Sequence, residues 1–403
     1  MRILVLNCGS SSLKFELFSF DGSSPDGTRL AEGNVGGIGG RAAIRIQLTG
    51  GGREQVAADI VDHAAATHWA LRWLAANMMR SPPDAVGHRV VHGGPRLFAP
   101  ALIDERVLGE IAAAGELAPL HNGGALDAVT AARDVLGQSV PMVAVFDTAF
   151  HHDLPERAAR YAIPPETADA HGIRRYGFHG LAHRYMSERA AARLPSLPAA
   201  DLRLITMQLG SGCSAAAVRG GRPVDTSMGF SPLEGLIMAT RSGDIDPAVV
   251  RYLCERARMT PGEVDAWLNQ RCGLLGLSGA SGDVRELLAL ASRGDARAAL
   301  AVDMFCYRLR KYIGSYLAVL GGADAIVFGG GIGENAPEIR ARACRGMEWC
   351  GLRLDEARNA RLVGAEGVIS ADASPIRAVV IPVDEEIIIA HDTLACLRKE
   401  PVP

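Results

Sequence analysis

Asn7 to Lys14 reads NCGSSSLK, a run of small and polar residues between two apolar segments of a 403-residue chain. Strand alternation beyond it puts Ser12, Lys14 and Glu16 on one face and Leu13, Phe15 and Leu17 on the other. The apolar set can face a core while the serine and the lysine face the mouth of a hairpin. Gly9 is expected to let the chain turn tightly, so that backbone N–H groups converge on an anion. GxxxxGK[ST] is absent, so this is not a P-loop; taken alone it reads equally as an ordinary Ser/Gly turn. A second turn, QLGSGCS, carries Gln208, Gly210, Ser211 and Gly212. Two such turns suggest a phosphate chain approached twice. A third glycine run, FGGGIGEN, follows a strand and opens a helix, where N–H groups can face a nucleotide. It does not match the dinucleotide fingerprint.

Charged residues cluster around the same places. Arg89 follows a buried-type strand, and Arg241 lies in the loop MATRSGDIDP. Arginines beside glycine turns suit anion recognition by their planar fork. Asp147 and Glu385 each follow an apolar strand. Carboxylates there suit a hard cation that bridges phosphate oxygens, or else serve as helix caps and first-turn acids. His88/His92 and His179/His183 share i,i+4 spacing, but no Cys or Glu stands at zinc-site spacing beside them.

The elements that must position these groups alternate between strand and helix, the pattern of an α/β architecture. Strands are predicted at RILVLN, SLKFELF, RLAEGNV, AAIRIQL, DAVGHRVV and VPMVAVF, with helices near 62–79, 104–114 and 122–136. The second half starts over. RLITMQLGSGCSAAAV repeats strand, turn and strand, DAIVFGGGIGEN mirrors DAVGHRVVHGG, and AVVIPVDEEIIIA resembles VAVFDTAFHH. Helices are predicted at 247–258, 261–269, 283–292 and 295–320. A duplicated unit implies two lobes with a ligand cleft between them; two unrelated α/β domains remain the alternative.

Composition is that of a soluble globular protein, 48% hydrophobic and 22% charged, with a formal net charge of -3. That balance gives no reason to expect nucleic acid or an anionic membrane as partner. No apolar run approaches the ~20 residues that span a bilayer, and the start of the chain lacks a signal-peptide pattern. Eight scattered cysteines without a CxxC pair read as reduced thiols of a cytoplasmic protein.

LNCGSSSLK, GHRVVHGG, LAPLHN, VFDTAFH, RYGFHG, TSMGFSPLEGL, TRSGDIDP and GGIGEN occur in this order, with DEE near the end. From Ile3 to about Thr393 the chain closely resembles the acetate and propionate kinase family. The resemblance implies a two-lobed actin-like (ribonuclease H-like) α/β fold of duplicated domains around a central cleft. Residues 1–150 with 386–403 would form one lobe and 151–385 the other. It implies a homodimer that uses ATP/ADP and Mg2+ (or Mn2+) to interconvert acetate and acetyl phosphate. By motif, Asn7, Ser10, Ser12 and Lys14 fall in the first phosphate turn, and Gln208, Gly210, Ser211 and Gly212 in the second. Arg89, Arg241 and His179 would surround the transferring phosphoryl group, with His121 close by. Asp147, Glu385 and Asn7 fall around the metal, Glu385 being the better ligand. Val91, Leu120, Phe178 and Pro232 fall where the family forms its acyl pocket. Asp283, Arg285, Gly331, Ile332, Gly333, Asn335 and Ile339 fall where it holds the nucleotide. One departure stands out: QLGSG replaces the family's typical HLGNG, so Gln208 and Ser211 stand where His and Asn are usual. A propionate or other short-chain acyl kinase, and a weakened nucleotide-binding protein on the same fold, are the alternatives.

Overall fold

The computed structural model describes residues 1–22, 24, 26–79, 81–115, 122–194 and 198–400. The chain divides into two compact units, Met1–His152 with Asp384–Pro403, and Asp153–Val383.

The first unit is built on an eight-stranded sheet. Its strands are β1 (Arg2–Cys8), β2 (Ser12–Ser19), β3 (Thr28–Gly36), β4 (Gly40–Leu48), β5 (Arg53–Ile60), β6 (Ala85–Val90), β7 (Ala101–Leu102) and β8 (Met142–Phe146), in the order β5-β4-β3-β2-β1-β6-β8-β7. The pairings β3-β2-β1 are antiparallel, whereas β1-β6-β8 are parallel. Central strand β1 is buried along nearly its whole length, as its continuous apolar run demands. Edge-ward β4 instead alternates buried and exposed residues. Leu13, Phe15 and Leu17 enter the core as expected, packed with Leu4, Leu6, Val86 and Val90 under the helices His63–Asn77 and Asn122–Leu136. Glu16 is also buried, which the alternation did not predict. The opposite face receives the C-terminal helix Glu385–Arg398. A side chain at Gly87 would strike Thr393 and Ile389 of that helix, so glycine sets how closely it packs.

The second unit has a six-stranded sheet of β9 (Arg203–Leu209), β10 (Cys213–Arg219), β11 (Arg222–Thr226), β12 (Ala325–Gly329), β13 (Gly367–Val368) and β14 (Arg377–Val380), in the order β11-β10-β9-β12-β14-β13. Five strands repeat the first unit: β11-β10-β9 antiparallel, then β9-β12-β14 parallel. The three mirrored sequence pairs therefore occupy equivalent places. The repeat extends to single atoms: Asp84 accepts the Arg2 N–H at 2.6 Å, and Asp324 accepts the Arg203 N–H at 2.8 Å. Each Asp-Ala step thus staples the first residue of its unit's first strand to the strand alongside. The long helix Ala296–Leu320 begins at the Asp295 cap, ends where Gly321 turns left-handed at φ 68°, and packs along β9, β10 and β11.

Candidate active site

Arg89 organises the first unit's polar cluster. On β6 it shares a face with Gly87, and so points to the side on which the C-terminal helix lies. Its Nε donates to both Asp147 oxygens at 3.1 Å, and Nη2 adds a short bond to Oδ2. Nη1 donates to Asn7 Oδ1 at 3.0 Å. Asn7 in turn donates Nδ2 to Glu386 Oε1 at 2.8 Å and to Glu385 Oε2 at 3.2 Å. Lys14 Nζ stands 3.3 Å from Glu386 Oε1, and Glu385 Oε2 lies 3.9 Å from Arg89 Nε. Burial disfavours the charged Arg89 guanidinium, but Asp147 and Glu385 outweigh it and raise its hold on its proton. Burial pushes the Asp147 carboxyl up while Arg89 pulls it back; the bidentate pairing keeps it ionised at neutral pH. Glu386 raises the Lys14 ammonium above its ordinary value.

Glu386 was not singled out in the sequence, although it fixes both Asn7 and Lys14; its place beside Glu385 in DEE is the signal. Gly9 makes the tight turn in an ordinary backbone conformation. It does not adopt a positive φ. Its need for glycine is the close approach of Ser12 Oγ, 2.8 Å from where a β-carbon would stand, while its N–H donates to Ser12 O at 2.8 Å. Ser10 is exposed and Ser12 half-buried at the mouth of the hairpin. Val91, just beyond β6, is 8% exposed. Leu120 and His121 lie outside the described residues.

In the second unit His179 caps the helix Gly180–Arg193 in a left-handed conformation, φ 56° and ψ 31°, a rare state for a non-glycine residue and one found at functional sites. Its Nδ1 shares a hydrogen bond with Ser214 Oγ at 2.8 Å. His183 Nε2 reaches the same hydroxyl at 2.8 Å, and its Nδ1 reaches Thr206 Oγ1 at 2.7 Å. The i,i+4 histidines are thus joined through a serine. Arg241 donates Nη1 to the Pro232 carbonyl at 2.7 Å and has no carboxylate partner among the described residues. Burial lowers its affinity for its proton. Its loop is pinned by Met238 N–H to Arg241 O at 3.1 Å and by Ala239 N–H to Ser211 O at 3.0 Å. Gly212 lies against both functional side chains: a β-carbon there would come within 3.1 Å of Arg241 Nη2 and 3.2 Å of the His179 ring. Phe178 is buried next to His179.

A cavity of about 420 Å³ is lined by Gly210, Ser211, Asp283, Arg285, Gly331, Ile332 and Asn335, together with Ala239, Gly282, Val284 and Ala336. Seven nucleotide-side residues of the sequence reading therefore come together around one space. The last four were missed, because small apolar residues carry no chemical signature. Gln208, Gly212, Gly333 and Ile339 are not in its wall. Ile339 is fully buried in the helix Pro337–Cys344, and Gly333 is buried in the short helix Gly330–Asn335. Gln208 turns its Oε1 towards Gly330 and finds no hydrogen-bond partner among the described residues.

These sites can be set beside known proteins. A model of the acetokinase family matches residues 2–391. The chain belongs to the acetokinase family. It is 49% identical to an acetate kinase of Solibacter usitatus, with all of both chains covered, and 44% identical to one of Bacteroides thetaiotaomicron over 99% of this chain and all of that one. Among solved structures, it is similar to the Porphyromonas gingivalis acetate kinase (TM-score 0.88, 40% identity, 98% of this chain and 99% of that one). It is equally similar to a Francisella tularensis propionate kinase (TM-score 0.89, 37% identity, the same coverage). The family's duplicated actin-like two-domain fold is the one described above.

Family membership implies ATP or ADP and a divalent metal. No group of three or more His, Cys, Asp or Glu able to hold a metal occurs among the described residues. Asp147 is committed to Arg89, which leaves Glu385, 12% exposed at its side chain, as the carboxylate nearest to being available. One carboxylate, with the Asn7 amide oxygen shared with Arg89, fits a magnesium-type ion, which keeps several waters and leans on substrate phosphates, and would not fit a metal needing a closed protein cage. No helix among the described residues is long and apolar enough to cross a membrane.

Proposed function

We propose that this enzyme phosphorylates acetate with ATP by direct in-line transfer, with magnesium as the metal, and that it works as a cytoplasmic homodimer. The observation that carries the reading is Arg241. A half-buried guanidinium with no carboxylate partner among the described residues is poised for an anion to neutralise it. It stands beside His179 and Gly212, and the phosphate-turn residues Gly210 and Ser211 line the cavity next along the chain.

Acetate, with a pKa near 4, is already ionised at pH 7, so the acceptor needs no general base. Its carboxylate oxygen forms a bond to the γ-phosphorus as the bond to the β–γ bridging oxygen breaks; ADP leaves with the electron pair and no proton is transferred. The barrier is the approach of two anions, so cations on the equatorial oxygens and in-line positioning are the main requirement. Arg241 and His179 are assigned to the phosphoryl oxygens, with Ser214 fixing the His179 ring. Arg89 is assigned to the acetate side, held by Asp147 and Asn7. Lys14 and the Ser10–Ser12 turn are assigned to the phosphate chain. Glu385 and Asn7 would hold magnesium, which supplies charge neutralisation on phosphate oxygens when bound. Val91, Phe178 and Pro232 are assigned to the acyl methyl group, and the 420 Å³ cavity to the nucleoside.

Hydroxylamine trapping of acyl phosphate, with ATP and magnesium across a panel of short acids, tests this. Acetyl hydroxamate is the expected product, and no product from any acid would refute the reading.

A further inference from the structure

The residues just assigned to the metal stand in the first turn of the C-terminal helix, and one arginine from a remote strand holds that turn in place. Arg29 lies on β3, beyond β2 from the strand that carries Asn7. Its Nε donates to Glu16 Oε2 at 2.6 Å, and its Nη2 makes a short bond to Asp384 Oδ2. The guanidinium also sits 5.4 Å over the Phe18 ring. Asp384 is the N-cap of the helix, with Oδ1 accepting the Ile387 N–H at 3.1 Å. One oxygen of Asp384 therefore starts the helix and the other ties that start to the sheet. The next two residues are Glu385 and Glu386, which engage Asn7, Lys14 and Arg89.

We propose that Arg29 is a positioning residue: by pinning Asp384, it sets where Glu385 and Glu386 stand against Asn7, Lys14 and Arg89. The proposal rests on the reading of Glu385 as the metal-side carboxylate. Arg29 is the cation paired with both Glu16 and Asp384 among the described residues. Without it, Asp384 keeps its cap bond to Ile387 but loses its tie to the sheet, and Glu16 loses its cation. Burial already raises Glu16, with the charges of Glu386 and Asp384 adding to it and only Arg29 opposing. Losing the Arg29 bond leaves the first turn of the helix without its tie to β3, and Glu385 shifts with it. Residues that orient a metal ligand from behind change metal affinity or activity by about 10–100-fold when removed.

Mn2+ binding in the presence of ADP, followed by the EPR signal of free Mn2+, gives a readout independent of turnover. Arg29→Met is expected to weaken Mn2+ about tenfold, to raise the magnesium activation constant by the same factor, and to leave KM for acetate within about twofold. Arg29→Lys should recover part of the loss. Asp384→Asn keeps the cap oxygen and removes the ion pair, so it should weaken Mn2+ likewise; it carries the test if Arg29→Met does not fold. Wild-type Mn2+ affinity in folded Arg29→Met or Asp384→Asn overturns the proposal. So does full recovery in the double variant Arg29→Met/Glu16→Gln, which would mean that Arg29 only neutralises Glu16. Glu385→Gln separates the two ideas: if it leaves Mn2+ binding unchanged, the metal-side reading falls and the Arg29 proposal with it. If it weakens binding while the Arg29 and Asp384 variants do not, the Arg29 proposal alone falls.

Discussion

His88 sits on β6 one residue from Arg89, yet it takes no part in the polar cluster. It is 1% exposed, shares a sheet face with Val86 and Val90, and neither ring nitrogen finds a hydrogen-bond partner among the described residues. Burial, with Arg133 adding to it, pushes its pKa down from 6.5 to about 3. The folded ring is therefore neutral across the whole useful pH range. Below pH 6.5 the unfolded chain takes up a proton that the folded chain refuses until about pH 3, so stability falls with pH across that window. From about pH 7.5 to about pH 5 the loss spans roughly 1.5 units below the unfolded pKa, at about 1.4 kcal/mol each, or about 2 kcal/mol. His88→Leu removes the titration and the two unsatisfied nitrogens at nearly constant volume. Wild type and variant should thus differ by about 2 kcal/mol more at pH 5 than at pH 7.5, in favour of the variant. For a domain of some 150–250 residues that is roughly 4–8 °C in Tm. Urea unfolding or thermal melts at both pH values measure it, and His92 and every other group cancel in the comparison. His88→Gln, which cannot ionise, should lose the same pH dependence. Parallel pH profiles for wild type and both variants would refute the reasoning.

Four further outcomes follow from the geometry. Arg241→Ala should cut turnover about 10²–10³-fold with little change in melting temperature, since no carboxylate loses a partner. Arg89→Ala should cost turnover and also about 3–5 kcal/mol of stability, because it strands the buried Asp147; a melting temperature equal to wild type would show Asp147 finding another partner. Ser214→Ala should lower kcat more than it raises KM for ATP, by freeing the His179 ring from its fixed orientation; unchanged kcat removes Ser214 from the mechanism. Val91→Ala should shift the kcat/KM ratio towards propionate by about 1–3 kcal/mol of selectivity, measured across acetate, propionate and butyrate.

The long elements were legible because their signals are local. The helix Ala296–Leu320 announces itself by an Asp cap, a sustained apolar period and a closing glycine. The duplicated strand order was legible because the Asp-Ala steps and glycine turns recur at matching places. Strand β5, REQVAADI, escaped notice because it is largely exposed and its ladder partner β4 supplies the reason to be extended. Which arginine is paired was not legible either. Arg89 and Arg241 look alike in sequence, and only the fold brings Asp147 to one and leaves the other a carbonyl. The contacts of His179 and of the buried Glu16 are likewise made with tertiary neighbours, Ser214 and Arg29, 35 and 13 residues away along the chain.

The first unit is interrupted: its chain leaves at His152 and returns only at Asp384. On a ribosome, more than two hundred residues of the second unit emerge before the last helix of the first does. At about 5–20 residues per second that is a wait of roughly ten to fifty seconds. Throughout it the sheet face around Gly87 lacks the helix that covers it, and Asn7, Lys14 and Arg89 lack Glu385 and Glu386. The second unit can finish first although it is encoded later. Nascent chains should therefore depend on holdase protection of that one face, and a stop codon just before Asp384 should release a protein whose second unit is folded and whose first is not.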